Sequence, residues 1–249
     1  MGELHLSQID ELMERACEAL VRMRYFEAER CALRALGAAH RELDFERMAR
    51  ITLPLQEARR QKMQLAMDAG CVRVLDDASE RLRRGGLYLV QPPAIAIETR
   101  ALVQDADRRE VPVHVLTREP MTSAGLWPIA MVNGEVAIRA RVAPPWTLEV
   151  VAGSPTRDRA PGPPDEAWFL AASEAVGDAA ILMADPKDHP YHRVEDLLEF
   201  LDCHPLHEKL HQVLADACRA CVGAEAPKQS RRATRLMQGK WNRIGDDGW

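Results

Sequence analysis

Between Ser7 and Ala66 apolar side chains recur every three to four residues, interrupted by one glycine (Gly37) and one proline (Pro54). Ile9, Leu12, Met13, Ala16, Ala19, Leu20 and Met23 predict a first helix from about Ser7 to Met23. Ser7 is its candidate cap, and Asp10 and Glu11 lie at its positive end. A second helix is expected from near Phe26, burying Ala28, Cys31, Ala32, Ala35 and Leu36. A third is expected from Asp44, a cap candidate, through Phe45, Met48, Ala49, Ile51, Leu55 and Ala58. Pro54 lacks the N–H that a helix interior needs, so it is expected to kink this helix or split it.

After Gly70 the period becomes strand-like. Cys71–Leu75 and Leu87–Val90 read as strands, Ile95–Arg109 as an amphipathic helix, and Val111–Leu116 as a further strand. Strand, helix, strand at this spacing is a parallel βαβ unit. Residues 126–132 and 135–142 flank Asn133-Gly134, which can supply the two positive-φ positions of a type I′ hairpin turn. On the second hairpin strand Val136 and Ile138 share one face, and Arg139 and Arg141 the other. Residues 143–164 are rich in Pro and Gly and read as a linker or surface loop. Helices resume at Asp165, then from Val194 to Cys203, from Pro205 to Val222, and from about Lys228 to Arg243. The expected fold class is therefore α+β or mixed α/β. The expected segments are helices over 1–69, a small α/β unit over 70–152, a linker over 153–164 and helices over 165–249.

Within the first segment, Ala16, Ala28 and Ala35 place small residues where two helices pack closely, and Tyr25 falls at the turn between them. Phe45-Glu-Arg-Met48 loosely repeats Tyr25-Phe-Glu-Ala28. On these residues 9–42 resemble a tetratricopeptide repeat, departing from its pattern at Met23, where the turn glycine belongs, and at Leu12, where an aromatic belongs. The resemblance covers about a quarter of the chain. It implies helical hairpins that stack and hold a protein partner. The polar residues expected to face that partner are Arg15, Arg22, Glu29 and Arg30.

Composition narrows the classes. The 249 residues carry 47% hydrophobic side chains but only 5% aromatics, so the core must be mainly aliphatic. A net charge of −5 argues against nucleic-acid binding through the overall field. No apolar run has the length of a membrane span, and residues 1–6 lack a signal-peptide pattern. The expected location is cytoplasmic, with the six cysteines as free thiols and Cys17 and Cys31 as small buried hydrophobes.

One stretch, His207-Glu-Lys-Leu-His211, matches H-E-x-x-H, in which two imidazoles on one helix face bind zinc and the glutamate activates the bound water. Here Lys209 is charged where such helices are uncharged, no third histidine follows, and His207 and His211 fall at the edge of the stripe Leu210, Leu214, Ala217 and Cys221. A zinc hydrolase through His207, Glu208 and His211 is thus the alternative reading, and boundary histidines with a ring nitrogen in water the favoured one. Cys218 and Cys221 lie near a helix end and read as small core residues. The turn after Leu87–Val90 is Gln91-Pro92-Pro93, which offers a phosphate neither N–H groups nor glycine. Arg118 follows a parallel strand at its carboxyl end, so Gln91 and Arg118 are the candidate small-ligand residues, with Arg118 expected to be exposed. The tail carries Lys228, Arg231, Arg232 and Arg235 on one face, which leaves RNA open as a partner, although docking of its apolar face on the chain itself is favoured. The function expected on balance is non-catalytic and cofactor-free: a protein-interaction module with a scaffold or ligand-sensing α/β unit.

Overall fold

The computed structural model describes residues 2–146 and 162–227, and side chains from residue 8 onward within them. The first three helices, α1 (Gly2–Val21), α2 (Tyr25–Arg41) and α3 (Phe45–Met67), form consecutive antiparallel hairpins. Both turns have the same construction. Met23 (φ 56°) and Leu43 (φ 54°) adopt the left-handed conformation. Their successors return an N–H to the preceding helix, Arg24 to the Ala19 carbonyl at 2.8 Å and Asp44 to the Ala39 carbonyl at 2.9 Å. This closes the last helical turn in the manner that usually calls for glycine. Asp44 caps α3 as expected, its carboxylate accepting from the Arg47 N–H at 3.0 Å. The Arg47 guanidinium then forks onto Asp10 of α1, with both N···O distances 3.0 Å. Two expectations are corrected. Ser7 lies inside α1 rather than at its start, and α3 is not split at Pro54 but continues through it.

The sheet contains β1 (Val72–Leu75), β2 (Gly86–Val90), β3 (Val113–Arg118), β4 (Trp127–Asn133) and β5 (Val136–Val142), in that spatial order. β1, β2 and β3 are parallel, and β4 and β5 are antiparallel. Helix α4 (Ala96–Arg108) completes the βαβ unit between β2 and β3. The β4–β5 hairpin is present, but its register differs by one residue from the expected one. Asn133 pairs with Val136, so the two-residue loop is Gly134-Glu135, with Gly134 at φ 61° and Glu135 not left-handed. Glycine at the first central position is the requirement of a type II′ turn, and Asn133 serves in the ladder instead.

Three helices follow: α5 (Glu166–Met183), α6 (Pro190–Cys203) and α7 (Glu208–Cys221). Asp165 caps α5 by accepting from the Trp168 N–H at 2.7 Å. α6 starts four residues earlier than Val194, and α7 starts after His207, not at Pro205. The basic segment 228–249 and most of the Pro-rich segment lie outside the described residues.

Each sheet face has its own cover. Tyr88, Val90 and Val115 pack with Leu102 and Ala106 of α4. Leu87, Leu89, Leu116, Ile129 and Ile138 share a core with side chains of α3, α5, α6 and α7. That core extends to Ile9 of α1 and Cys31 of α2, so apolar surface of the N-terminal helices is covered by the chain's own sheet and C-terminal helices. Phe45 at the start of α3 meets Tyr191 of α6 edge to face, with ring centroids 4.6 Å apart. Cys31, Cys218 and Cys221 are buried as expected, whereas Cys17 is exposed. No helix among the described residues is long and apolar enough to cross a membrane.

Candidate functional site

β3 and β4 pair over only two residues, Thr117 with Ala130 and Arg118 with Ile129. β4 and β5, by contrast, pair along their whole length. Beyond the Thr117–Ala130 pair the ladder stops, and a cavity of about 470 Å³ occupies the space between Val113–Val115 on one side and Met131–Asn133 on the other. Its remaining walls come from α2, α3, α4 and the end of α6. This is the volume range of small-molecule sites. Strand edges that end a ladder also leave alternate backbone N–H and C=O groups without a sheet partner, which a ligand can use.

The lining divides by chemistry. Leu33, Val103, Val113, Val115 and Met131 make an apolar wall, and Thr99, Thr117, Asn133 and His114 add neutral polar groups. Five cations (Arg30, Arg59, Lys62, Arg100, Arg108) and three carboxylates (Glu29, Asp107, Asp202) complete it. Most of these charges are already matched. Arg59 Nε donates to Glu29 Oε1 at 2.7 Å, and Lys62 bonds both Glu29 and, at 2.6 Å, Asp107. Arg30 reaches Glu110 at 2.8 Å, and Arg108 reaches Asp105 at 3.6 Å. Arg100 and Asp202 make no hydrogen bond to any described residue. Burial pushes the Glu29 carboxyl up, but Arg59 and Lys62 outweigh it and bring it down to about 2, so it is ionised throughout the neutral range. Asp202 is exposed, but protein packed around its carboxyl still pushes it up, against the pull of Arg59 and Arg100. Cys203, also on the wall, is pushed up to about 11 chiefly by burial, so it stays a thiol and is a weak nucleophile at neutral pH.

Behind the cavity lies a buried polar chain. His114 Nε2 is 2.7 Å from Ser173 Oγ, which is 3.1 Å from His204 Nε2. Burial, with His204 adding to it, holds His114 well below its ordinary value. Burial likewise brings His204 down to about 4. Both rings are therefore neutral and serve as hydrogen-bonding groups. Ser173 bonds to these rings behind the cavity wall and is not part of the lining.

The H-E-x-x-H residues do not make a two-imidazole site. His207 is the residue before α7, with extended backbone (φ −83°, ψ 112°), so it never shares a helix face with His211. His207 Nε2 donates to Glu174 of α5 at 3.0 Å. His211 Nδ1–H donates to the His207 carbonyl at 3.0 Å, and its Nε2 accepts from Arg59 at 3.3 Å. Burial and then Arg59 lower His211 to about 3. A guanidinium thus stands where a zinc ion would have to bind. The expectation of boundary histidines is corrected too, because His204, His207 and His211 are all buried. Glu208 is exposed in the first turn of α7.

A different grouping, Glu174, Asp178 and His207, places its ligand atoms within 4.8 Å of one another. Lys209 Nζ already lies 3.2 Å from Glu174 and 3.1 Å from Asp178. A metal on His207 Nε2 would also leave a proton on Nδ1, which is buried with no acceptor in reach among the described residues. The set fits a pairing of histidine and lysine with carboxylates better than a metal.

Other candidates from the sequence fall as follows. Gln91 and Arg118 are brought together, Arg118 Nη2 lying 3.4 Å from Gln91 Oε1, but both are buried. Arg118 lies 4.4 Å from the Trp127 ring centroid and is 1% exposed, which corrects its expected exposure and makes it part of the interior. Arg15 and Arg22 are exposed on and just after α1, while Glu29 and Arg30 belong to the cavity wall. His114, Arg100 and Asp202 went unread in the sequence. A histidine within the apolar strand Val113–Leu116 was the available signal for the first, and the other two carried none. Comparison of the chain with protein-family models, curated proteins and solved structures finds no match.

Proposed function

We propose that this chain is a small-ligand-binding protein whose site is the cavity between β3 and β4, with the helical hairpins of α2 and α3 serving as one of its walls. The observation that carries this is the early end of the β3–β4 ladder, which opens about 470 Å³ lined by both apolar side chains and charged groups. The core shared by the N-terminal helices, the sheet and the C-terminal helices supports it, since it makes the hairpins part of the container. Among the described residues the wall carries no activated nucleophile, which favours binding over catalysis. Cys203 is held as a thiol, and Ser173 lies behind the lining.

The test is a thermal-shift and ligand-observed NMR screen of small amphiphilic acids, amines and amino acids against the full chain, repeated with Val103→Trp. That indole would occupy the cavity from its α4 wall. Compounds that bind the natural chain and lose binding in the variant are the expected result. A screen in which no compound binds, or in which Val103→Trp leaves every binder unaffected, refutes the reading.

A further inference from the structure

Charge pairing within the cavity singles out one kind of ligand, given the binding reading above. Among the described residues, remove every charged group of the lining that already has an ion-pair partner, and one cation and one anion are left. Arg59, Lys62, Arg30 and Arg108 are engaged by carboxylates, as are Glu29 and Asp107 by cations. Arg100 on α4 and Asp202 near the end of α6 both line the cavity, and neither has an ion-pair partner among the described residues. Arg100 is near enough to pull the Asp202 carboxyl down, yet their N and O atoms lie beyond 4.0 Å.

Arg100 is half-buried and Asp202 exposed, so both can be reached from solvent, and neither has a counter-charge among the described residues. A carboxylate ligand alone would satisfy Arg100 but face Asp202 as a like charge. An amine alone would do the reverse, and face a wall with more cations than anions. A molecule carrying both groups satisfies both, because charge-assisted hydrogen bonds are the strongest that a neutral-pH site can offer. The volume exceeds what the two charged groups need, and the rest of the wall is Val103, Val113, Val115 and Met131.

We propose that the cavity binds a zwitterion of the α-amino-acid type with an apolar side chain, its carboxylate held by Arg100 and its ammonium by Asp202. The side chain lies along the valine and methionine wall. No bond is made or broken, and the ligand leaves as it entered.

The experiment uses the full chain and three probes of matched side chain: L-leucine, 4-methylpentanoate, which lacks the amine, and 3-methylbutylamine, which lacks the carboxylate. Titration calorimetry should show leucine binding at least about 10-fold more tightly than either analogue. Arg100→Gln should weaken leucine by about 10- to 100-fold. Asp202→Asn should weaken leucine similarly and abolish its advantage over the acid. Both variants should keep the natural thermal midpoint, because neither side chain makes a bond within the described fold. Equal affinity for leucine and 4-methylpentanoate overturns the zwitterion assignment in favour of a simple anion site. A chain that binds screen compounds in the Val103→Trp-sensitive manner yet ignores leucine overturns it while the cavity reading stands. If Val103→Trp leaves all binding unaffected, the cavity reading itself fails.

Discussion

Replacing Gly177 by alanine should destabilise this protein, although helix propensity alone says the opposite. Gly177 is an interior residue of α5, where alanine is favoured by about 1 kcal/mol. In this fold, however, a Cβ at position 177 would come inside 3.0 Å of His207 Cγ, Cδ2 and Nε2. Those atoms span the imidazole, and the ring is buried, so it cannot swing aside as the tip of a flexible side chain would. Gly177 is thus the notch that seats His207 between Glu174 and Asp178, one on each side of it along the helix. Overpacking at a buried site costs about 1–3 kcal/mol, and displacing the ring also loses its bond to Glu174, about 1 kcal/mol. Against the propensity gain, the net loss is about 2 kcal/mol, or about 4–8 °C in Tm for a chain of this size. The decisive assay is a double-mutant cycle by urea denaturation. In a His207→Ala background the clash is gone, and Gly177→Ala should become stabilising by about 1 kcal/mol. A neutral or favourable Gly177→Ala in the natural chain would refute the seating of His207 in the notch.

Three further outcomes are expected. Met23→Gly and Leu43→Gly should each stabilise by about 0.5–1 kcal/mol, because both positions have positive φ and both side chains are exposed; denaturant midpoints check this. His204 and His211, lowered by burial from the ordinary 6.5 to about 4 and about 3, with His114 well below it, stay neutral in the fold while the unfolded chain takes up protons. Their contribution is therefore complete above about pH 6.5 and is lost as pH falls toward 4 and then 3, at about 1.4 kcal/mol per pH unit for each histidine. His211→Gln should flatten the pH–stability curve between pH 6 and 4, and an unchanged slope would count against the neutral assignment. Glu29→Ala strands the buried Arg59 and should cost about 3–5 kcal/mol by urea denaturation, whereas Glu29→Leu combined with Arg59→Met should cost much less.

Elements set by neighbours a few residues apart were legible in the chain itself. The 3.6-residue period gave α1, α2 and α3, because amphipathic spacing needs only local sequence and a core somewhere on its apolar side. Apolar strands flanking a helical stretch gave the β2–α4–β3 unit, and the cap candidate Asp44 marked the start of α3. Even here, pairing decided what local chemistry left open. Asn133-Gly134 marked the hairpin, but the ladder drew Asn133 into β4 and moved the turn by one residue. Pro54 signalled a break, yet α3 continues through it, with Ile51 and Leu55 on either side buried in the core.

What the site is depended on contacts between distant segments, and no spacing along the chain encodes those. H-E-x-x-H implies one helix face only if both histidines are helical. The start of α7 after His207, with Gly177 of α5 receiving the ring, separated them. Arg118 looked like a surface cation until Trp127 and Gln91 enclosed it. Arg100 and Asp202 are ordinary residues of two amphipathic helices, and only the packing of α4 and α6 around an incompletely zipped pair of strands makes them face one cavity. Periodicity reports which side of an element is buried. Which elements share that burial, and which polar groups are left over when they do, is settled by three-dimensional packing.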